Sequence, residues 1–357
     1  MLAGKSCSSP EGRRAISDLY SIQPAESAHL EGSRLTRLPI LLLNIHSQCN
    51  CRCVMCDIWQ RKDGSESHAA DLERHRESIR RLGVEQVVLS GGEPLLNREL
   101  DAICGFFRGL GLRITLLTTG LLLNKKADIV AAGFDDIIIS IDGPPEVHNR
   151  IRRVSGAFQA IQKGVLEVRG RQPGIPISCR TTVQKLNHTH LRATVSAARS
   201  LGLDSISFLA ADVSSAAFNR EEPWARERQD EISLNRSELI ELEQEIELLI
   251  QTHQEDIDQG FIAEGAAKLR RIGTRFRERI EGTPPKAPIC NAPWVSAVIE
   301  VDGSVRPCFF HPPIGNARQL TLEQAINTDM ALSFRSGLKI ASNPTCQRCV
   351  CSLNYSG

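Results

Sequence analysis

Cys49, Cys53 and Cys56 stand in the pattern C-x(3)-C-x(2)-C, directly after the apolar run at 38–43. Three thiolates on one short loop can hold three irons of a cubane cluster and leave the fourth without a protein ligand. An open metal position is where a substrate or cosubstrate binds, whereas closed sites are structural or carry electrons. The plainer readings are a zinc site or a group of buried thiols, although zinc usually takes two well-separated ligand pairs. Cys51 lies inside the loop at a position this pattern does not use. A second thiol set closes the chain: Cys290, Gly303 and Cys308 read C-x(12)-G-x(4)-C, and Cys346 and Cys349 form a C-x(2)-C pair. Four thiolates make a full coordination set, for zinc beside a hairpin or for an iron–sulfur cluster. Cys351 is read as a bystander that stays open as a substitute for Cys349.

Other residues that can do chemistry stand where apolar runs end. Ser90-Gly91-Gly92-Glu93-Pro94 pairs two glycines, which let backbone approach a ligand closely, with a carboxylate that can accept from an ammonium group. Thr118 and Ser140 offer hydroxyls, Asp142-Gly143-Pro144 follows Ser140, and Arg180 can pair with a carboxylate. Taken singly, each hydroxyl is as well explained by a cap or turn, and Arg180 by a solvated strand end.

The cysteine loop followed one unit later by Gly91-Gly92-Glu93 resembles the radical S-adenosylmethionine (SAM) enzyme superfamily. The resemblance implies a [4Fe-4S] cluster on Cys49, Cys53 and Cys56 whose open iron chelates SAM. It implies that Gly91, Gly92 and Glu93 hold the methionyl amine, and that Thr118, Ser140 and Arg180 contact the rest of SAM. Reductive cleavage of SAM would then give a 5′-deoxyadenosyl radical that takes a hydrogen atom from substrate. Many members carry an aromatic residue just before the third cysteine, where this chain has Met55, and Thr119 replaces a common asparagine. The C-terminal spacing resembles the SPASM/twitch extensions, which implies an auxiliary [4Fe-4S] cluster on Cys290, Cys308, Cys346 and Cys349, serving electron transfer.

Strands are expected at 38–44, 86–89, 113–117, 136–141, 177–183 and 205–209. Helices are expected near 69–82, 99–110, 125–132, 157–169 and 190–201. Alternation of this kind predicts an α/β fold, an open (β/α)6 partial barrel with ligands at the carboxyl ends of its strands. The expected organisation is an N-terminal extension (1–36), the core barrel (37–210), a helical connecting segment (211–285) and a small hairpin-containing cluster domain (286–357). Lys and Arg total 43 against 42 for Asp and Glu, which gives no case for nucleic acid or an anionic membrane. No apolar run spans a bilayer, and the cysteines cluster as metal ligands do rather than as a secreted disulfide framework, so the cytoplasm is expected. The expected partners are a flavodoxin- or ferredoxin-type electron donor and a small-molecule or peptide substrate. Three functions compete: oxidation or rearrangement of a small metabolite or cofactor precursor, maturation of a ribosomal peptide with a separate leader-binding partner, and non-enzymatic electron transfer.

Overall fold

The structure, a computed structural model, describes residues 33–356, so most of the expected N-terminal extension lies outside the described residues. Six strands follow the apolar runs closely: β1 (Ile40–Asn44), β2 (Gln86–Ser90), β3 (Arg113–Thr118), β4 (Asp136–Ser140), β5 (Ile177–Val183) and β6 (Ser205–Ala210). All pair in parallel in the order β6-β5-β4-β3-β2-β1. Strand alternation splits their side chains between two environments. Leu41, Leu43, Val87, Leu89, Leu116, Ile137 and Ile139 join the large core under the outer helices. Leu42, Val88, Leu117 and Ile138 point the other way, into the concave side of the sheet.

The expected helices appear, with 69–82 broken into Ala69–Leu72, a 3₁₀ turn and Arg76–Arg81. The apolar stripe of the connecting segment is buried as its spacing requires: Leu239, Leu242, Ile246, Leu249 and Ile250 all face inward from the helix Arg236–Thr252. A capping box between Asn235 and Glu238 starts that helix. Within the barrel one helix, Pro145–Arg152, was not expected, and beyond the hairpin Asp329–Gly337 was not expected either. The inward residues of Pro145–Arg152 include His148 and Arg152, so no apolar period marks it.

The sheet does not close. Beyond β1 it continues into the C-terminal region through β7 (Ser296–Ile299), which pairs in parallel with β1, from Ile40 opposite Ser296 to Leu43 opposite Ile299. β8 (Ser304–Arg306) and β9 (Gly315–Asn316) complete an antiparallel edge, so the hairpin expected around Asp302-Gly303 is also a continuation of the barrel sheet. At the opposite edge, Ile206 exchanges backbone hydrogen bonds with Phe261 and Ala263, which covers β6. Gly315 is the tightest point of the β9 edge: a Cβ there would lie 2.2 Å from the Ala325 carbonyl oxygen. Gly315→Ala is therefore expected to cost about 1–3 kcal/mol in denaturant unfolding through overpacking; an unchanged midpoint would show that this edge yields.

Candidate active site

The cysteine loop leaves β1 and is fixed by main-chain bonds before any side chain contributes. Ile45 N–H donates to Ser90 O, Gly92 N–H to His46 O at 2.7 Å, and Glu93 N–H to Gln48 O at 2.8 Å. These contacts bring the turn after β2 so close to the loop that no side chain fits between them. A Cβ on Gly92 would lie 2.1 Å from Gln48 O, and one on Gly91 2.5 Å from His46 O. The glycine pair thus serves the approach of the cysteine loop as well as that of a ligand. On the other side of the loop, Arg52 N–H and Val54 N–H donate to Arg152 O and Ile151 O at the end of the helix Pro145–Arg152.

Cys49, Cys53, Cys56, Gly91, Gly92, Thr118, Ser140 and Arg180 all line one cavity of about 920 Å³ at the carboxyl ends of the strands. Register places Arg180 opposite Ser140, and Arg180 points to the concave side, its Nε 3.3 Å from Ser207 Oγ. Glu93 departs from expectation. It is fully buried and does not line the cavity. Its Oε1 accepts from Leu95 N–H at 3.0 Å and Thr118 Oγ1–H at 2.7 Å, and its Oε2 from Thr119 N–H at 2.7 Å. With both oxygens engaged, the carboxylate ties the turns after β2 and β3 together, and the backbone of Gly91 and Gly92 is what faces the cavity. Thr118 likewise spends its hydroxyl on Glu93 while accepting from Gly120 N–H at 3.0 Å.

Two features of the site were not assigned from sequence. Arg152 is buried, pairs with Asp142 at 2.7 Å and places Nη1 3.5 Å from Cys53 Sγ. Asp142 is held in turn by Thr182 N–H at 3.1 Å. The Asp-Gly-Pro turn and the arginines after it were visible, but nothing in the sequence singled out Arg152. The Cys51 thiol hydrogen-bonds between Cys49 and Cys53, and this bond, followed by the Arg152 guanidinium, holds the Cys53 thiol well below the usual range. The segment after β6, which the sequence offers as a cover for the open barrel mouth, walls the cavity. The buried Asp212–Arg220 ion pair braces it, and Trp224 Nε1 and Asn219 Nδ2 donate to Asp57 of the cysteine loop.

Cys290, Cys308, Cys346, Cys349 and Cys351 line a second, smaller cavity of about 140 Å³. Leu117, Arg180, Phe309, Phe310 and Cys351 border both cavities. Cys349 Sγ lies 2.7 Å from Cys351 O.

Both thiol sets fit iron–sulfur clusters. Burial pushes Cys56 and Cys308 up to about 12 and Cys346 up to about 11, so ionising these thiols needs a strong opposing charge, which coordinated iron supplies. The first set places three sulfurs on a cavity with room for a cosubstrate, and the second offers a thiol-rich, largely apolar pocket. Replacing Glu93 by alanine orphans three buried donors, so Glu93→Ala should lose roughly 1–3 kcal/mol of unfolding free energy per unmet group and weaken SAM binding with it. Parental stability together with weakened binding would instead place the SAM amine on the carboxylate.

A family model described as the radical SAM superfamily matches residues 43–207, and one described as an iron–sulfur cluster-binding domain matches residues 290–350. The pre-heme d1 synthase of Dinoroseobacter shibae is 33% identical over 180 residues, 49% of this chain and 43% of that protein. The Fe-coproporphyrin III synthase of Methanosarcina barkeri is 25% identical over 48% of this chain and 47% of that protein. The chain thus spans about half the length of the curated relatives it matches. Among solved structures, Streptococcus suis SuiB bound to S-adenosylmethionine gives a TM-score of 0.63 at 15% identity, over 90% of this chain and 74% of that one. Native anSMEcpe with bound AdoMet gives 0.63 at 18% identity, over 88% and 93%. Likeness at these identities is one of fold. Because the cysteine loop, the Gly91–Glu93 turn and the thiols Cys290 to Cys349 all fall inside the matched segments, the chain belongs to the radical SAM superfamily of enzymes, with SAM, a [4Fe-4S] cluster and C-terminal auxiliary iron–sulfur chemistry as its cofactors.

Proposed function

We propose that this chain abstracts a hydrogen atom from a flat, carboxylate-bearing cofactor precursor of tetrapyrrole type. In this reading Cys49, Cys53 and Cys56 hold the SAM-binding cluster. Cys290, Cys308, Cys346 and Cys349 hold an auxiliary [4Fe-4S] cluster that carries electrons. The observation that carries the reading is the composition of the larger cavity. Its volume of about 920 Å³ lies within the range of small-molecule sites. Phe218, Phe309 and Phe310 contribute aromatic surface to its lining, with Phe218 and Phe310 edge to face at 6.1 Å. Arg61, Arg180 and Arg306 line the same cavity, Arg61 paired with Asp63 and Arg306 with Glu300, each at 3.3 Å. Aromatic faces suit a planar ring system, and guanidinium groups suit its carboxylates. The names of the similar curated proteins, a pre-heme d1 synthase and an Fe-coproporphyrin III synthase, point to the same substrate class.

When bound, the cluster and SAM supply the carbon-centred radical chemistry. The protein's own residues position the reacting carbon and exclude water. Gly91 and Gly92 offer backbone to the methionyl end, while Ser140 and Arg180 face the same space. The segment 211–224, braced by Asp212–Arg220, covers the mouth. A low-potential flavodoxin or ferredoxin supplies the electron.

Anaerobically reconstituted protein is expected to hold about eight irons per chain, and about four once Cys49, Cys53 and Cys56 are all alanine. Zinc at the C-terminal thiols of the parent would remove the auxiliary cluster. In the presence of dithionite and SAM, formation of 5′-deoxyadenosine is expected to rise at least several-fold with a carboxylate-bearing tetrapyrrole, accompanied by a product of altered mass. Stimulation only by a peptide encoded beside the gene would overturn the substrate class while leaving the radical chemistry intact.

A further inference from the structure

The auxiliary cavity contains a nitrogen donor that its cysteine spacing does not announce. His311 follows Cys308 by three residues, is 4% exposed and places Nε2 3.3 Å from Cys346 Sγ. Resting on the assignment of an iron–sulfur cluster to the C-terminal thiols, we infer that His311 donates a hydrogen bond to the Cys346 thiolate and sets the auxiliary cluster's reduction potential higher than cysteines alone would give.

The imidazole is held from three directions. Its ring packs edge to face on Phe334, with centroids 4.8 Å apart. Its own carbonyl accepts from Arg306 Nη1–H at 3.0 Å. Pro312 and Pro313 follow at once and restrict the backbone on that side. The backbone that carries the sulfur is also fixed: Asn343 Oδ1 accepts from Thr345 N–H and Cys346 N–H at 3.0 and 3.1 Å, capping the short helix Pro344–Arg348. The two residues are therefore anchored independently of each other, through their backbones and, for His311, through its ring on Phe334.

The direction of the bond follows from chemistry. A thiolate bound to iron has no proton to give, so the nitrogen facing it must carry one, which places a hydrogen on Nε2. An N–H aimed at sulfur withdraws electron density from the cluster and stabilises its reduced, more negative state. One-electron reduction strengthens the bond while the proton stays on nitrogen. Phe309 and Phe310, the two residues before His311, border both cavities, so the cluster tuned in this way adjoins the space where product forms. A raised potential suits a cluster that accepts an electron from the substrate side.

His311 is a positioning residue in this account, and its readout is a potential. The full chain, reconstituted with both clusters, is titrated potentiometrically by electron paramagnetic resonance, alongside the Cys49/Cys53/Cys56-to-alanine protein that isolates the auxiliary signal. His311→Phe should keep the auxiliary irons and shift the midpoint to more negative potential. His311→Gln, whose amide N–H can reach the sulfur, should recover part of the shift. Pulsed resonance on the parent should find an exchangeable proton near the cluster, with only weak nitrogen coupling. An unchanged midpoint in His311→Phe overturns the inference. So does a nitrogen coupling of the size of a bound ligand, or loss of the auxiliary irons in the glutamine variant, because His311 is then a ligand. If the phenylalanine variant alone sheds iron, an iron-loaded glutamine variant with a near-parental midpoint upholds the donor, and one with a large negative shift refutes it. Zinc in the parent's C-terminal site is a separate failure, that of the cluster assignment itself.

Discussion

The architecture of the active site depends on one close approach, that of the His46–Cys49 backbone to the Gly91–Gly92 backbone. Two main-chain hydrogen bonds hold these turns together, and a single methyl group at either glycine would collide with a carbonyl oxygen. Neither contact involves a cysteine side chain, yet together they orient the loop that carries the thiols. Glu93 extends the same lock to β3 through Thr118 and Thr119. A ladder of backbone groups therefore places the site before any cofactor contributes, as preorganised positioning requires.

The Arg152–Asp142 pair adds a second constraint with a different energetic character. Both groups are buried, and a buried pair often gains little net stability over a hydrophobic substitute because desolvation offsets the attraction. Its value here is one of place. The guanidinium lies beside Cys53, where a cation favours the thiolate that a metal requires. The peptide carbonyls of Ile151 and Arg152 meanwhile hold the far side of the loop. One helix end thus supplies a charge beside Cys53 and main-chain acceptors to the backbone of the same loop.

The parallel pairing of β7 with β1 gives the two thiol sites a common frame. Strand β1 feeds the cysteine loop at one end of the chain's chemistry, and β7 lies between the Cys290 and Cys308 segments at the other. The two cavities share a wall of Leu117, Arg180, Phe309, Phe310 and Cys351. The aromatic and cationic groups of that wall face the larger cavity on one side and the C-terminal thiols on the other.

The sequence by itself determined the local elements and the reactive residues. Short segments rich in apolar and β-branched residues between helical periods specified β1 to β6, with a continuous apolar centre in β1, β2 and β4 and alternation in β5 and β6. The cysteine spacings specified two metal-type sites, because a short loop limits which thiols can converge. What only the tertiary structure decided involves partners far apart in the chain. Alternation could not tell whether Arg180 faces the cavity until pairing with β4 and β6 set its side. The helix Pro145–Arg152 escaped notice because two of its inward positions, His148 and Arg152, are polar and make sense only against Asp142 and the cysteine loop. Glu93 read as a ligand group until three donors from its own and the neighbouring turn were found to occupy its carboxylate. The contact of His311 with Cys346 spans 35 residues, and that of Arg152 with Cys53 spans 99. Periodicity and spacing are short-range signals, whereas these contacts arise from the packing of whole strands and helices, which no local window of sequence encodes.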